Sequence, residues 1–242
     1  MKVAIITGAS SGIGYEAALE IDRRFKSLDE IWILARSEDK LRKLSYKMNH
    51  AVRIFTIDLL KEEELKEFKK KIIEIQPNVK MLFLGAGEGL HGKFSTMKRE
   101  DETEMIKLNC VALTDMVSIC LPFMKRRSHI ISVASSAGFI PCPGFGVYAA
   151  SKAYVKNFSL ALRSELRSRK IYVTTVCPGP VDTPFFDRSE RVVHKIGKLK
   201  KFIMNKPERV ARKAICDAGF NRKYSFDTPF IAAFCFLASL VF

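Results

Sequence analysis

Short runs of β-branched and other apolar residues recur along the chain at Val3–Thr7, Glu30–Ala35, Val52–Ile57, Lys80–Leu84, His129–Ala134 and Ile171–Val176, and each reads as a strand. Between them the apolar residues return at helical spacing, which predicts helices starting near Gly12, Glu38, Lys61, Asp101, Tyr148 and Pro207. Pro207 suits a first helical turn, where its missing N–H has no intrahelical partner to lose. Strands that alternate with helices need right-handed crossovers, and these give a parallel sheet covered on both faces. The unbroken apolar stretches Ile31-Trp32-Ile33-Leu34 and Met81-Leu82-Phe83-Leu84 fit strands buried on both sides. The pattern therefore predicts a doubly wound α/β fold.

Composition narrows this picture. The 242 residues are 48% hydrophobic and 28% charged, and no linker or repeat divides them, so residues 1–242 read as a single globular domain. Cys110, Cys120, Cys142, Cys177, Cys216 and Cys235 are scattered, with no Cys-x-x-Cys pair or Cys/His cluster. No metal site is expected, and a reduced, cytoplasmic protein is the simplest reading. Met1-Lys2 leads directly into Val3-Ala4-Ile5-Ile6, an apolar segment too short for a signal-peptide core. A net charge of +15 would suit nucleic acid, anionic lipid or a polyanionic cofactor. Many of the cations alternate with acids, as between Lys61 and Lys71, where a solvated helix face explains them. Without a recognition motif, no nucleic-acid partner is expected.

The first candidate chemistry lies between the first strand and the first helix. There Thr7, Gly8, Ser10, Ser11, Gly12, Ile13 and Gly14 form a Gly-rich turn, whose backbone can approach a pyrophosphate while the helix N-terminus stabilises its charge. Such a turn marks a Rossmann-type dinucleotide site only in this strand-to-helix setting. At the end of the second strand, Arg36 and Ser37 stand where an acid would bind the ribose hydroxyls of NAD, and they favour the 2′-phosphate of NADP(H) instead. An ordinary exposed loop arginine is the alternative for Arg36. Asp58, followed by Leu59, ends the third strand, where its carboxylate can accept from the adenine amino group or cap the next helix.

Tyr148 and Lys152, four residues apart at a helix start, share one face. A tyrosine titrating near 10 exchanges protons poorly at neutral pH, and a close cation is expected to lower that value. Upstream, Ser135 in Ser132-Val133-Ala134-Ser135-Ser136-Ala137-Gly138 follows a strand and can donate to a substrate carbonyl at the carboxyl edge of the sheet, with Ser136 as the less favoured neighbour. Downstream, the rigid turn containing Pro178, Gly179, Val181 and Thr183 can lie against a nicotinamide.

In order and spacing, Thr7 to Gly14, Asn109, Ser135, Tyr148/Lys152 and Pro178-Gly179 together resemble the short-chain dehydrogenase/reductase family, from Lys2 to about Ala218. The resemblance implies a Rossmann-type sheet of about seven strands, NADP(H) as cofactor, a carbonyl or secondary-alcohol substrate, and a homodimer or homotetramer. It makes Tyr148 the general acid in reduction and the base in oxidation, with Ser135 polarising the carbonyl. Lys152 lowers the pKa of Tyr148 and holds the nicotinamide ribose, while Asn109 positions a water that links Lys152 to solvent. It also places Ala86 and Gly87 beside the adenosine ribose and a mobile substrate loop at residues 185–206.

The chain departs from the family pattern twice. Many relatives carry Asn-Asn-Ala-Gly after the fourth strand, where this chain reads Leu84-Gly85-Ala86-Gly87, so the hydrogen bonds of that asparagine must be replaced or lost. Residues 228–242 form an apolar tail shorter than the roughly 18 residues of a membrane span. Three readings are open for this tail: a buried or dimer-packed helix, a helix in contact with a membrane, and a lid over an apolar substrate. The basic run Arg188, Arg191, Lys195, Lys198, Lys200 and Lys201 suggests an anionic or carrier-linked substrate such as an acyl thioester. A membrane-associated reductase of lipid-like ketones and a non-catalytic NADP(H) sensor are the rival functions.

Overall fold

In a computed structural model, which describes residues 1–185 and 204–241, the apolar runs form a sheet of 7 strands in the order β3-β2-β1-β4-β5-β6-β7. The strands are β1 (Lys2–Thr7), β2 (Glu30–Ala35), β3 (Ala51–Thr56), β4 (Asn78–Leu84), β5 (Met124–Val133), β6 (Tyr172–Val176) and β7 (Tyr224–Ser225), and every pairing is parallel. The helices are α1 (Gly12–Arg24), α2 (Glu38–Ser45), α3 (Glu62–Ile75), α4 (Arg99–Ile106), α5 (Leu113–Cys120), α6 (Gly146–Glu165), α7 (Pro207–Gly219) and α8 (Pro229–Val241), with a π-helical turn Lys107–Ala112 joining α4 to α5.

Alternate strand residues feed two apolar layers, as expected for a sheet buried on both faces. Val3, Ile5, Trp32, Leu34, Leu82 and Ile130 pack with Leu65, Phe68 and Ile72 of α3, with Met116 and Val117 of α5 and with Val155 and Leu162 of α6. Ala4, Ile6, Ile31, Ile33, Phe83 and Ile131 meet Ala17, Ala18 and Ile21 of α1, Leu41 and Leu44 of α2, and Val210, Ala214 and Ile215 of α7. Truncating one fully buried side chain such as Ile33 costs about 2–5 kcal/mol. The helical stretch Arg99–Phe123, at 25 residues, is long and apolar enough to cross a membrane, yet Met105, Leu113, Met116, Val117 and Cys120 bury within this domain.

Two strands differ from expectation. β5 begins at Met124 because Lys125-Arg126-Arg127, which carries no apolar signature, is tied down by Arg127 N donating to Lys170 O at 2.8 Å. β7 is only 2 residues long, too short to leave a period in the sequence.

The order of strands reverses between β1 and β4, and ligands of open α/β sheets bind at such a switch point, outside the carboxyl ends of the strands. Thr7 pairs with both Leu34 and Leu84, and Leu84 pairs with Ser132. The loops that follow these strands therefore converge on one edge.

Candidate active site

At that edge lies a cleft of about 720 Å³. Gly8 and Gly12 adopt φ values of +68° and +57°, which the tight turn requires. A Cβ on Gly8 would sit 2.7 Å from Ala86 N, so the turn and the loop after β4 can meet only through glycine. Ser11 is the N-cap of α1 and makes no side-chain cap bond. Gly8, Ser10, Ser11, Gly12 and Ile13 line the cleft, while Thr7 and Gly14 stand behind it as buried supports. Gly14 packs on the backbone of Gly8.

Arg36 and Ser37 line the far end of the cleft beyond β2, joined by Lys40, which the sequence reading missed. Arg36 and Lys40 are exposed and make no ion pair among the described residues. The neighbouring Glu38 is bound instead by Arg42, at 2.9 Å. Asp58 and Leu59 line the same end. Asp58 Oδ1 accepts from Leu60 N at 3.1 Å, and its own N–H donates to Glu64 Oε2 at 2.6 Å. Since Lys61 occupies the N-cap of α3, Asp58 closes the preceding turn and does not cap the helix.

Helix α6 starts at Gly146, which sets Tyr148 and Lys152 one turn apart on the cleft side of its first turns. Lys152, only 5% exposed, donates from Nζ to Val133 O at 3.0 Å and lies 5.8 Å from the centre of the Tyr148 ring. Burial pushes its pKa down to about 8. Burial likewise pushes Tyr148 up to about 12, against a side-chain hydrogen bond with Ser135 that acts to lower it. The Lys152 ammonium is turned to a backbone carbonyl and sits over the ring. Ser135 ends the loop after β5, and its Oγ accepts from Ala137 N at 3.2 Å.

Asn109 does not reach the cleft wall. It lies in the π-helical turn, 1% exposed, where its Oδ1 accepts from Glu88 N at 2.9 Å and its Nδ2 donates to Glu88 O at 2.8 Å and to Ser151 Oγ at 3.0 Å. A Cβ on Gly87 would lie 2.9 Å from Asn109 Oδ1 and 3.2 Å from Lys152 Nζ, so the loop after β4 passes directly over both.

The sequence signature of the family described as short chain dehydrogenase matches residues 2–192. The chain belongs to the short-chain dehydrogenase/reductase family. This is a family of oxidoreductases, and the oxidoreductase YbbO of Escherichia coli is 32% identical over 222 residues, 88% of this chain and 79% of the relative. The very-long-chain 3-oxoacyl-CoA reductase of Rattus norvegicus is 28% identical over 230 residues, 91% of this chain and 69% of the relative. Among solved structures, a short-chain dehydrogenase from Sphingobium yanoikuyae in complex with NADPH superposes with a TM-score of 0.82 at 26% identity, covering 96% of this chain and 90% of that one.

At position 85, where the family pattern carries asparagine, this chain has glycine. The Thr7 hydroxyl accepts from Gly85 N at 3.1 Å and from Ala86 N at 3.2 Å. Ala86 and Gly87 line the cleft. On the opposite wall, Pro178, Gly179, Val181 and Thr183 follow β6, and Asp227 accepts from Gly179 N at 3.2 Å.

Several lining residues escaped the sequence reading. Phe145 and Phe185 flank Tyr148, with ring centres 5.6 and 5.5 Å away. A Cβ on Gly89 would meet Tyr148 Cδ2 at 2.8 Å. The Gly87-x-Gly89 spacing was the available signal for that close approach. Of the substrate-loop expectation, residues 186–203, with all six of its basic positions, lie outside the described residues. Its ends are held by Asp182 N donating to Asn205 O and Asn205 N donating to Pro180 O, each at 2.9 Å.

The C-terminal α8 docks by a narrow stripe. Cys235 and Ala238 are buried, and Ile231 packs on Gly179. No α8 residue lines the cleft among the described residues, and Phe230, Phe236, Leu237, Leu240 and Val241 are exposed.

Proposed function

We propose that this protein is an NADPH-dependent reductase of carbonyl compounds, reversible to oxidation of the matching secondary alcohols. The observation that carries the reading is the meeting of Ser135, Tyr148 and Lys152 at the carboxyl edge of β5, across the cleft from the Gly-rich turn. The cleft suits a dinucleotide: only glycine fits where Gly8 and Gly87 approach their neighbours, and the N-terminus of α1 faces the cleft uncapped. Arg36 and Lys40 offer two cations to a 2′-phosphate, with Ser37 as a further donor. The NADPH complex of the Sphingobium yanoikuyae relative supports the same choice.

A nicotinamide nucleotide held there supplies the hydride. The protein supplies the proton and the orientation. Tyr148, its phenol kept protonated by burial, donates from Oη to the oxygen of the carbonyl as negative charge develops on it. Ser135 Oγ hydrogen-bonds the same oxygen. Lys152 is set to bind the ribose and, as charge builds on the phenolate, to offset it. Asn109 fixes the loop that covers both.

The intact trio disfavours a cofactor sensor without chemistry. The Rattus norvegicus relative bears the name of a 3-oxoacyl-CoA reductase, which agrees with an acyl thioester as one substrate for the basic sequence between Arg188 and Lys201. NADPH consumption across a panel of ketones, aldehydes and 3-oxoacyl thioesters tests the proposal. Tyr148→Phe is expected to lose about 10²–10⁴-fold in kcat while still binding NADPH. Turnover by the variant equal to wild type would overturn it.

A further inference from the structure

We infer that α8 seats this protein on an anionic lipid surface. The helix contains no charged residue, and its docked stripe of Ile231, Cys235 and Ala238 uses one side only. Phe230, Phe236, Leu237, Leu240 and Val241 stand 62–76% exposed on the remaining faces, and Phe234 is 37% exposed between. A water-facing helix is normally polar on that side, and so large a contiguous apolar face marks an interaction surface.

Charge names the occupant. Lys156, close enough to Cys235 to influence its thiol, stands at the flank of α8. Lys206 follows Asn205, whose Nδ2 donates to Asp227 at 2.6 Å just before the helix, and Lys223 lies over the ring of Tyr224. Asp227, just before the helix, is buried and accepts from Gly179, Asn205 and Thr228. In a two-fold pairing of α8 faces, each copy would set this cationic rim against its equal, whereas anionic headgroups neutralise it. The docked stripe of Ile231, Cys235 and Ala238 holds the axis of Pro229–Val241 along the domain surface. The helix therefore lies in the interface and does not cross it.

Ile231 touches Gly179, so the seated face adjoins the cleft wall that Pro178 and Gly179 form. Substrates dissolved in the bilayer then reach the cleft from its edge. This last step rests on the reductase reading, whereas the seating rests on α8 alone.

The test is co-sedimentation of the full chain with vesicles of phosphatidylglycerol and phosphatidylcholine, or of phosphatidylcholine alone, at low and high salt. Partition onto the anionic vesicles should be at least about tenfold stronger, and salt should weaken it. Phe236→Glu and Leu240→Glu, both at exposed positions, should each lower it about tenfold and leave NADPH fluorescence binding intact. Retention in the supernatant with both vesicles, equal binding to both, or variants that sediment as wild type would overturn the seating. So would an oligomer that these variants dissociate while vesicle binding is absent, because α8 would then face a second copy. Failure of the wild type to bind NADPH in the same fluorescence measurement would sink the reductase reading and leave the seating standing.

Discussion

Asn109 grips Glu88 by both of its backbone groups, accepting from the N–H at 2.9 Å and donating to the carbonyl at 2.8 Å. The grip joins the π-helical turn to the loop after β4 and brings Gly87 over Lys152. A π-turn often marks a functional position, and here it turns an amide inward from a helix whose other buried neighbours are Cys110 and Ala112. Asn109→Ala leaves both Glu88 groups without that partner in a site 1% exposed, and should cost about 2–4 kcal/mol in urea unfolding. The loop shift should reach Lys152, so kcat should fall well before NADPH affinity does. Unchanged stability and unchanged kcat would remove Asn109 from the positioning of the site.

Gly85 stands where many relatives carry asparagine, and the space there is closed. A Cβ at this position would lie 2.9 Å from Thr7 O and 3.1 Å from Phe83 Cε1. The first of these neighbours is backbone of a central strand and has no room to move. Gly85→Asn should therefore destabilise by about 2–4 kcal/mol, even though it restores the family residue. Thermal unfolding checks it, and a variant as stable as wild type would show that the β1 and β4 loops can re-form around asparagine.

Arg36 and Lys40 stand exposed at the far end of the cleft, with no ion pair among the described residues. If they bind a 2′-phosphate, Arg36→Glu should lower kcat/KM for NADPH by at least about tenfold and leave NADH nearly untouched. Lys40→Ala should produce a smaller loss in the same direction, because a flexible ammonium is a weaker phosphate partner than a planar guanidinium. Equal kcat/KM for the two cofactors in the wild type would refute the preference outright.

What could be read from the sequence follows from what each feature depends on. The strands that pack on both sides announced themselves as apolar runs, and the Tyr148/Lys152 pair was visible because helical spacing alone puts two residues on one face. β7 was invisible because its 2 residues are held by Thr175 and Val176 and not by their own pattern. Lys40, Gly89 and Phe185 converge on the cleft from segments far apart in the chain, so no local pattern marks them. In α8 every face is apolar, so only packing distinguishes the Ile231/Cys235/Ala238 stripe from the exposed remainder.

Lys152 carries a cost that a pH series can measure. Its folded pKa of about 8 lies below the ordinary lysine value of 10.5, chiefly through burial. Below about pH 8 both folded and unfolded chains hold the proton, and the folded state bears a desolvated charge that costs on the order of 3 kcal/mol. Between about pH 8 and 10.5 the folded chain has released the proton while the unfolded chain still binds it, so this group makes stability rise with pH. Lys152→Met, which keeps the apolar stem, should be more stable than wild type at pH 7 by about 1–3 kcal/mol after the loss of the bond to Val133 O. That advantage should shrink toward pH 10, and turnover should collapse at every pH. Urea unfolding of both proteins at pH 7 and pH 9.5 decides the matter. A variant less stable than wild type at pH 7, or a gap independent of pH, would mean that Lys152 is held for packing and not against its own desolvation.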